Sequence, residues 1–587
     1  MDSTDPTKGR LRRALAHAPA ALLILAAFLA ARHWTAGLSW PCEEDFYRDM
    51  GFAQTIMDGR YGEDPFYRDA RVWYNPLVHA LIALATLATK LPLELVYTRA
   101  GAYLNLIVPV TFYALGNVLF GRRAALLSLA SFLFLGDHSR VSYVNNATYS
   151  PWLWPDNFAQ GLFYLTMTFF VTSLGSTITT RMRFLFVTLT GASLGLSALA
   201  HAAPGTLGAI VISVIHLRRA FVLRANPRAS RVEIMSLAWI GALSVLFSLP
   251  FTWYIVVSAG LRIHNWDPMT WEPEILLWNK VPELLLEQLR FRTLIGFGGL
   301  ALIAAGRSRL RDPHARAVVV SWVLATLGFL TYNDITHALH DLRGETWPIL
   351  VGNWHFVLYT KAAESLGFGV VGELLVVTIT RRRGLDSHVR SAGAERAAVA
   401  LAAILSAAAY PSYFRSRDLA GNHADASWWS SREVPALIEW IRNHTLPDDV
   451  FLSSERHSVF SVGAAGRKSV VLPTSFANPY VPHEPRASAK LEMILRLETG
   501  DGVDRLAQLF AEHGVRYVIF EPHSEEPRPF ELTRIDARAA ALLSPVFSFE
   551  RTEGFLLGMD RRVYCSWELV GCQAAAGTVI VYRVRNP

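Results

Sequence analysis

"NPLVHALIALATLATKLPLE" (Asn75–Glu94) is the stretch whose reading decides the topology of this chain. It is apolar enough to cross a membrane. Counted as a span, it reverses every later loop and puts the arginine clusters outside. Left uncounted, those clusters all fall on one side, as cytoplasmic loops do. The segment is therefore expected to be an interfacial or re-entrant helix within the first outer loop. A helix that does not span is allowed at membrane depth where protein or a water-filled cavity covers it.

Outward from that segment, hydropathy marks about eleven spans. They run at about 14–32, 98–120, 124–136, 158–175, 184–200, 204–217, 233–257, 293–306, 317–331, 366–380 and 397–410. Basic loops at 1–13, 121–123, 181–183, 218–231, 307–316 and 381–396 share one side. Loops 33–97, 137–157, 258–292 and 332–365 share the other with the tail from 411. The alternation predicts a multi-pass protein of the cell's inner or plasma membrane, with a cytoplasmic N-terminus and an extracytoplasmic tail. The first span resembles a signal peptide with a basic start (Lys8, Arg10, Arg12, Arg13). The charge count fits an uncleaved span better.

Composition agrees. The mean hydropathy is +0.25. Hydrophobic residues make up 52% of the 587 residues and charged residues only 18%, too few for a soluble enzyme of this size. The formal charge of +7 is mostly arginine in short loops, so it marks topology and not nucleic-acid binding. Three cysteines make no disulfide framework; Cys565 and Cys572 are candidates to pair in an extracytoplasmic tail.

The tail reads differently from the rest. Short β-like runs at Val450–Ser454, Ser469–Pro473, Val515–Phe520 and Thr578–Val584 alternate with helix-like stretches at Glu433–His444 and Asp504–Gly514. That pattern predicts a small α/β domain. The expected organisation is a membrane domain at 1–410 and an extracytoplasmic α/β domain at 411–587.

The unusual polar chemistry lies on the outer side. "EEDFYRDMGFAQTIMDGRYGEDPFYRD" (Glu43–Asp69) holds eight carboxylates and three arginines. Asp45, Asp49 and Phe52 fall on one face of a helix, at i, i+4 and i+7. Asp45 fits either a reactive carboxylate or a simple N-cap. Asp64 before Pro65 fits either a turn former or a residue of the site. The second outer loop carries Asp137 and His138, which fit either a second acid site or a helix end, and Asp156. The fourth carries Arg343, His355 and Lys361, each a candidate for phosphate. Arg343 has the alternative of a wet ion pair with Asp341 or Glu345, and Lys361 that of snorkelling at a span end. His201, in "LAHAAPG", reads as structural or pore-lining. The loop "FANPYVPHEPRAS" (Phe476–Ser488) suits acceptor recognition or a plain connector.

An early acidic residue, then "GRYGEDP" (Gly59–Pro65) and "YNPL" (Tyr74–Leu77) before an apolar stretch, resembles the first outer loop of GT-C glycosyltransferases. These use polyprenyl-phosphate sugars and include protein O-mannosyltransferases, the lipid A aminoarabinose transferase and the oligosaccharyltransferase catalytic subunit. "LFGRRAALLSLASFLFLGDHSRV" (Leu119–Val141) and "EWIRNHTLPDDVFLSS" (Glu439–Ser454) are similar to other parts of that superfamily. The resemblance implies a GT-C-like fold and transfer of a hexosyl or pentosyl group from a polyprenyl-phosphate donor. It implies Asp45 as catalytic base, Asp156 at the place of second-loop metal-binding acids, and membrane lipid as a partner; Asp64, Asp137, His138, Asp156, Arg343, His355 and Lys361 are the candidate substrate-binding residues by their place in the outer loops. It also implies a divalent metal, magnesium or manganese, at Asp45 and Asp156. The acceptor is left open among protein, lipid and glycan. The chain departs from the oligosaccharyltransferase pattern. Asp156-Asn157 stands where paired acids are expected, and no Trp-Trp-Asp follows Glu439–Ser454, which argues against N-linked sequon transfer. The rival readings are a transporter or flippase of lipid-linked saccharides, and a membrane scaffold. Transporters keep ionisable sites near mid-membrane, often in related halves, whereas here the span centres carry few charges and no halves repeat.

Overall fold

A computed structural model describes residues 15–42, 44–135, 149–175, 177–265, 268, 291–306, 314–344, 351–382, 387–430, 434–521, 532–551 and 577–585. Asp137, His138, Cys565 and Cys572 lie outside the described residues. The chain divides into two compact units. One holds 1–36, 100–250 and 272–420; the other holds 37–99, 251–271 and 421–587.

The first unit is a helical bundle. Among the described residues of the whole chain, eight helices are long and apolar enough to cross a membrane: Ala18–Thr35, Leu93–Phe120, Thr180–Ala200, Ala202–Ala225, Pro227–Ser258, Ala315–Thr336, Val357–Arg381 and Ser391–Ala424. They overlap eight of the expected spans. The other three expected spans are helical too, at Arg122–Phe134, Pro155–Leu174 and Phe291–Ala304. The first and last of these have only 13 and 14 residues. Helix Arg122–Phe134 is buried along nearly its whole length, and its Phe132 stacks on Phe112 at 4.0 Å. Helices Phe291–Ala304 and Val357–Arg382 meet through glycines. A Cβ on Gly367 would lie 2.1 Å from the Gly296 carbonyl oxygen, so the two backbones approach only because neither side chain is there.

Asn75–Glu94 belongs to the second unit. Its helix, Leu77–Thr89, has 13 residues and ends at Lys90 in the left-handed conformation. At 1.5 Å per residue it is about 20 Å long, short of a hydrocarbon core of about 30 Å.

The tail of this unit carries a five-stranded sheet in the order β2-β1-β3-β5-β4. The strands are β1 (Val450–Leu452), β2 (Lys468–Ser469), β3 (Val515–Phe520), β4 (Leu543–Arg551) and β5 (Gly577–Val584). β1 pairs in parallel with β2 and β3, while β5 runs antiparallel to β3 and β4. Sequence periodicity located four of these strands; β4 is additional, its alternation broken by a bulge between Pro545 and Phe547. Helix Val503–His513 buries Leu506, Leu509 and Phe510 in the core with Val450, Val515 and Val518, and stops at Gly514 with φ +66°.

The acids of the first loop hold the tail. Glu94 pairs with Arg442 at 2.8 Å, Asp58 with Arg467 at 3.4 Å and Arg60 with Asp448 at 2.5 Å. The Lys468 ammonium donates to the Asp64 backbone carbonyl. Gly51 of helix Glu44–Met57 packs so closely on Gly463 that a Cβ there would come within 2.4 Å of the Gly463 carbonyl oxygen.

Candidate functional site

Two clusters stand out, one in each unit. In the second unit, helix Glu44–Met57 places Asp45, Arg48 and Asp49 within one turn. Arg48 reaches Asp45 at 3.0 Å and Asp49 at 2.9 Å. The Tyr97 hydroxyl donates to the other Asp49 oxygen at 3.0 Å. The Asp49 side chain is fully buried, while that of Asp45 is 20% exposed. Asp49 is therefore engaged on both oxygens, and Asp45 is the carboxylate with access. The Arg48 guanidinium lies over the Tyr74 ring at 4.4 Å. Arg48 and Tyr97 were not legible as site residues; the i, i+3 spacing of Asp45 and Arg48 was the available signal.

Asp64 sits elsewhere in the same unit, buried. One oxygen accepts from the Phe66 and Tyr67 backbone N–H groups at 2.7 and 3.1 Å, and the other from the Asn478 amide at 2.6 Å. Burial pushes its carboxyl up, against the pull of these donors and of Lys468. That is the geometry of a turn former.

His79, on Leu77–Thr89, is fully buried in a three-ring cluster with Phe52 and Tyr74, whose ring centroids lie 5.3 and 5.6 Å from its own and 5.7 Å from each other. Burial, then the Arg48 charge, push its pKa from 6.5 down to about 3. The folded protein keeps His79 neutral where the unfolded chain takes a proton. Its contribution to stability is present above the unfolded value of about 6.5 and is lost as pH falls toward the folded value. Thermal unfolding between about pH 7 and about pH 4.5 should therefore lose more midpoint temperature in the wild type than in His79→Gln. Equal losses would count against a buried neutral imidazole.

In the first unit, ionisable side chains gather at one end of the bundle, where helices begin or stop. Asp156 opens helix Pro155–Leu174; its carboxylate accepts from the Asn157 N–H at 2.7 Å and lies 3.5 Å from His355 Nδ1. His201, between two helices, packs its ring 4.4 Å from that of His355. Arg292 pairs with Glu364 at 3.0 Å. Lys361, only 1% exposed, feels Arg292, Glu364 and Asp418. It does not snorkel. Asp418 sits in a π-helical turn, Arg417–Gly421, and accepts from Ser150 at 3.2 Å. Such turns recur at functional sites. Arg343 is exposed at the end of helix Ala315–Arg343. The fold thus joins Asp156 to His355 and His201, and adds Arg292, Glu364 and Asp418 to Lys361. Toward the other ends of these helices lie ion pairs such as Arg123–Glu373 and Arg219–Glu233, both at 2.8 Å, and Arg122–Glu395 at 2.9 Å.

Asp45 and Asp156 belong to different units. Among the described residues no three His, Cys, Asp or Glu side chains come together to hold an ion.

The bundle with its appended sheet has the fold of the GT-C glycosyltransferases. ArnT from Cupriavidus metallidurans in the apo state matches with a TM-score of 0.53 and 10% identity, over 96% of this chain and 97% of that one. The Archaeoglobus fulgidus oligosaccharyltransferase, solved in complex with Zn and sulfate, matches at 0.51 and 12% identity, over 96% and 88%. The arabinofuranosyltransferase AftD from Mycobacteria matches at 0.51 and 13% identity, over 98% of this chain but 40% of its own length. No family model and no curated protein matches the chain.

Proposed function

We propose that this protein is an integral-membrane glycosyltransferase that moves a sugar from a polyprenyl-phosphate donor to an acceptor on the outer face. The carrying observation is the gathering of ionisable side chains at one end of an otherwise apolar bundle of GT-C fold. A second ArnT structure, bound to undecaprenyl phosphate, matches at a TM-score of 0.51 and 10% identity over 96% of this chain and 97% of that one, and supports a lipid-phosphate donor.

In this reading Asp45 takes the acceptor hydroxyl proton. The acceptor oxygen bonds to the anomeric carbon, and the bond from that carbon to the phosphate oxygen breaks. Polyprenyl phosphate leaves with the electron pair. A carboxylate suits the first task because proton transfer can lag behind as the sugar becomes cationic. Lys361 and Arg292, with His355, are assigned to the phosphate. Charge placed where it develops on the leaving group favours the transition state over the ground state. Arg343 is assigned to the donor at a more exposed position. Asp64 is assigned to holding the loop. Asp137 and His138 remain substrate-binding proposals from their place in the second outer loop. A transporter is the weaker reading, because the ionisable residues lie at helix ends and not at mid-membrane.

The test is transfer from synthetic polyprenyl-phosphate hexose and pentose donors by the purified protein in nanodiscs. Lys361→Met should raise the donor KM by about 10- to 100-fold, the loss of one charge-assisted contact. Unchanged donor KM would remove Lys361 from the phosphate site. Absence of transfer by the wild type with every donor would remove the enzyme reading.

A further inference from the structure

The end of the bundle away from Lys361 carries positive charge that the reaction above does not use. Helix Pro155–Leu174 runs away from Asp156, and helix Ala202–Val222 away from His201. At 1.5 Å per residue each is about 30 Å long, so their far ends stand about that distance from the ionisable gathering. Three helix ends meet there. Helix Ala202–Val222 stops and helix Pro227–Trp253 starts across a short 3₁₀ turn, Leu223–Ala225. The hairpin is fixed by its own bonds. Ser230 Oγ donates to the Ala220 carbonyl at 3.0 Å, the Ala229 N–H donates to Asn226 Oδ1 at 3.2 Å, and Glu233 takes Arg219 and His216, both at 2.8 Å. Helix Thr180–Ala200 lies alongside Pro227–Trp253 in the same direction. Trp239 Nε1 donates to Thr188 Oγ1 at 3.1 Å. A Cβ on Gly191 would come 2.9 Å from the Ile240 carbonyl oxygen, and one on Gly195 2.5 Å from that of Ser244. The steady offset of these contacts sets Arg181 nearly level with Arg231.

Arg181, Arg218, Arg224, Arg228 and Arg231 crowd these ends, and all five are exposed. Glu233 is the sole carboxylate between residues 157 and 266, and it is committed to Arg219 and His216. The five therefore have no acid on their own helices. Arginines elsewhere in the bundle are matched: Arg122 has Glu395 at 2.9 Å and Arg123 has Glu373 at 2.8 Å. Membrane topology places arginines at such ends, but it does not require them to stand unmatched on three adjoining ones. Next to them the surface turns apolar. Phe184, Phe221, Met235 and Trp239 are 42–65% exposed, and the Phe184 and Trp239 rings stack at 6.1 Å. A free phosphate or a nucleic acid would answer the arginines and leave this wall in water. A zwitterionic lipid would cover the wall but bring a choline cation among arginines. A phospholipid with a net negative head answers both, and the planar guanidinium suits its phosphate.

We propose that these three helix ends form a site for the head group of an anionic phospholipid, with its acyl chains along the wall of Phe184 and Trp239. Arg228 and Arg231, one turn apart on Pro227–Trp253, hold the phosphate and the negative head together with Arg181 and Arg224 of the neighbouring ends. The site lies about a helix length from the residues assigned to the donor, and it stands whether or not the chain transfers sugar.

The test uses the full-length protein in phosphatidylcholine nanodiscs containing a small fraction of phosphatidylglycerol. One lipid or the other is supplied with brominated acyl chains, which quench nearby indoles. The Trp239 signal is the difference between the wild type and Trp239→Phe. Brominated phosphatidylglycerol should quench it about fivefold or more efficiently per mole than brominated phosphatidylcholine, the worth of one or more arginines meeting a negative head. Replacing the exposed trio, Arg224→Gln, Arg228→Gln and Arg231→Gln together, should bring that ratio to about one. Raised salt should lower it in the wild type, with no substitution at all. Millimolar inorganic phosphate should leave it unchanged. Equal quenching by the two lipids in the wild type, or a preference that survives the triple replacement, overturns the proposal. A preference abolished by inorganic phosphate overturns the lipid and leaves a site for the free anion.

Discussion

Asp45→Asn should slow sugar transfer by about 100- to 10,000-fold, the usual worth of a positioned general base. The amide keeps the size of the side chain and a hydrogen-bonding oxygen for Arg48, 3.0 Å away in the native protein. The loss should therefore fall on kcat, with the donor KM and the unfolding temperature little changed. Asp49→Asn is the informative companion. Its carboxylate is fully buried and divided between Arg48 and Tyr97, so its replacement should lower the unfolding temperature. If Asp45→Asn transfers at the wild-type rate, the base lies elsewhere. The pH profile adds a second check: a carboxylate base gives a rate that falls on the acid side, and Asp45→Asn should remove that limb from whatever activity remains.

Asp64→Ala should be among the most destabilising substitutions in the first loop. It deprives the Phe66 and Tyr67 N–H groups and the Asn478 amide of their acceptor. It also takes a negative neighbour from Lys468, which is 2% exposed. Unmet buried donors and an unbalanced buried charge together amount to about 3–5 kcal/mol. Asp64→Asn keeps an acceptor and should lose less. Tryptophan fluorescence during thermal unfolding reads the difference. A variant as stable as the wild type would show that this carboxylate does not hold loop to tail.

Much of this was legible in the sequence, for identifiable reasons. The helices of the bundle announce themselves by sustained apolar runs, and arginine spacing sorts their ends. Helix Val503–His513 showed its buried face through Leu506, Leu509 and Phe510 at i, i+3, i+4 spacing. β4 was harder, because Pro545 and a bulge interrupt its alternation. The weak point was long-range polar pairing. Nothing local says that Glu94 meets Arg442, or that Asp58 meets Arg467. For that reason the sequence shows the first-loop acids only as a cluster, while the structure pairs Glu94, Asp58 and Asp64 with residues of the tail. Asp45 was visible by its place at the head of a helix. Arg292 and Asp418 were not, because each is a single charge at the edge of an apolar run, and only the bundle brings them to Lys361.

Residues 37–99 form one body with residues 421–587, although more than three hundred residues separate them in the chain. During synthesis the loop is made early and must wait, unfinished, for sheet strands translated more than three hundred residues later. A nascent chain or a prematurely terminated product therefore carries Asp45 on a segment lacking half its scaffold. Maturation of the loop is timed by synthesis of those strands.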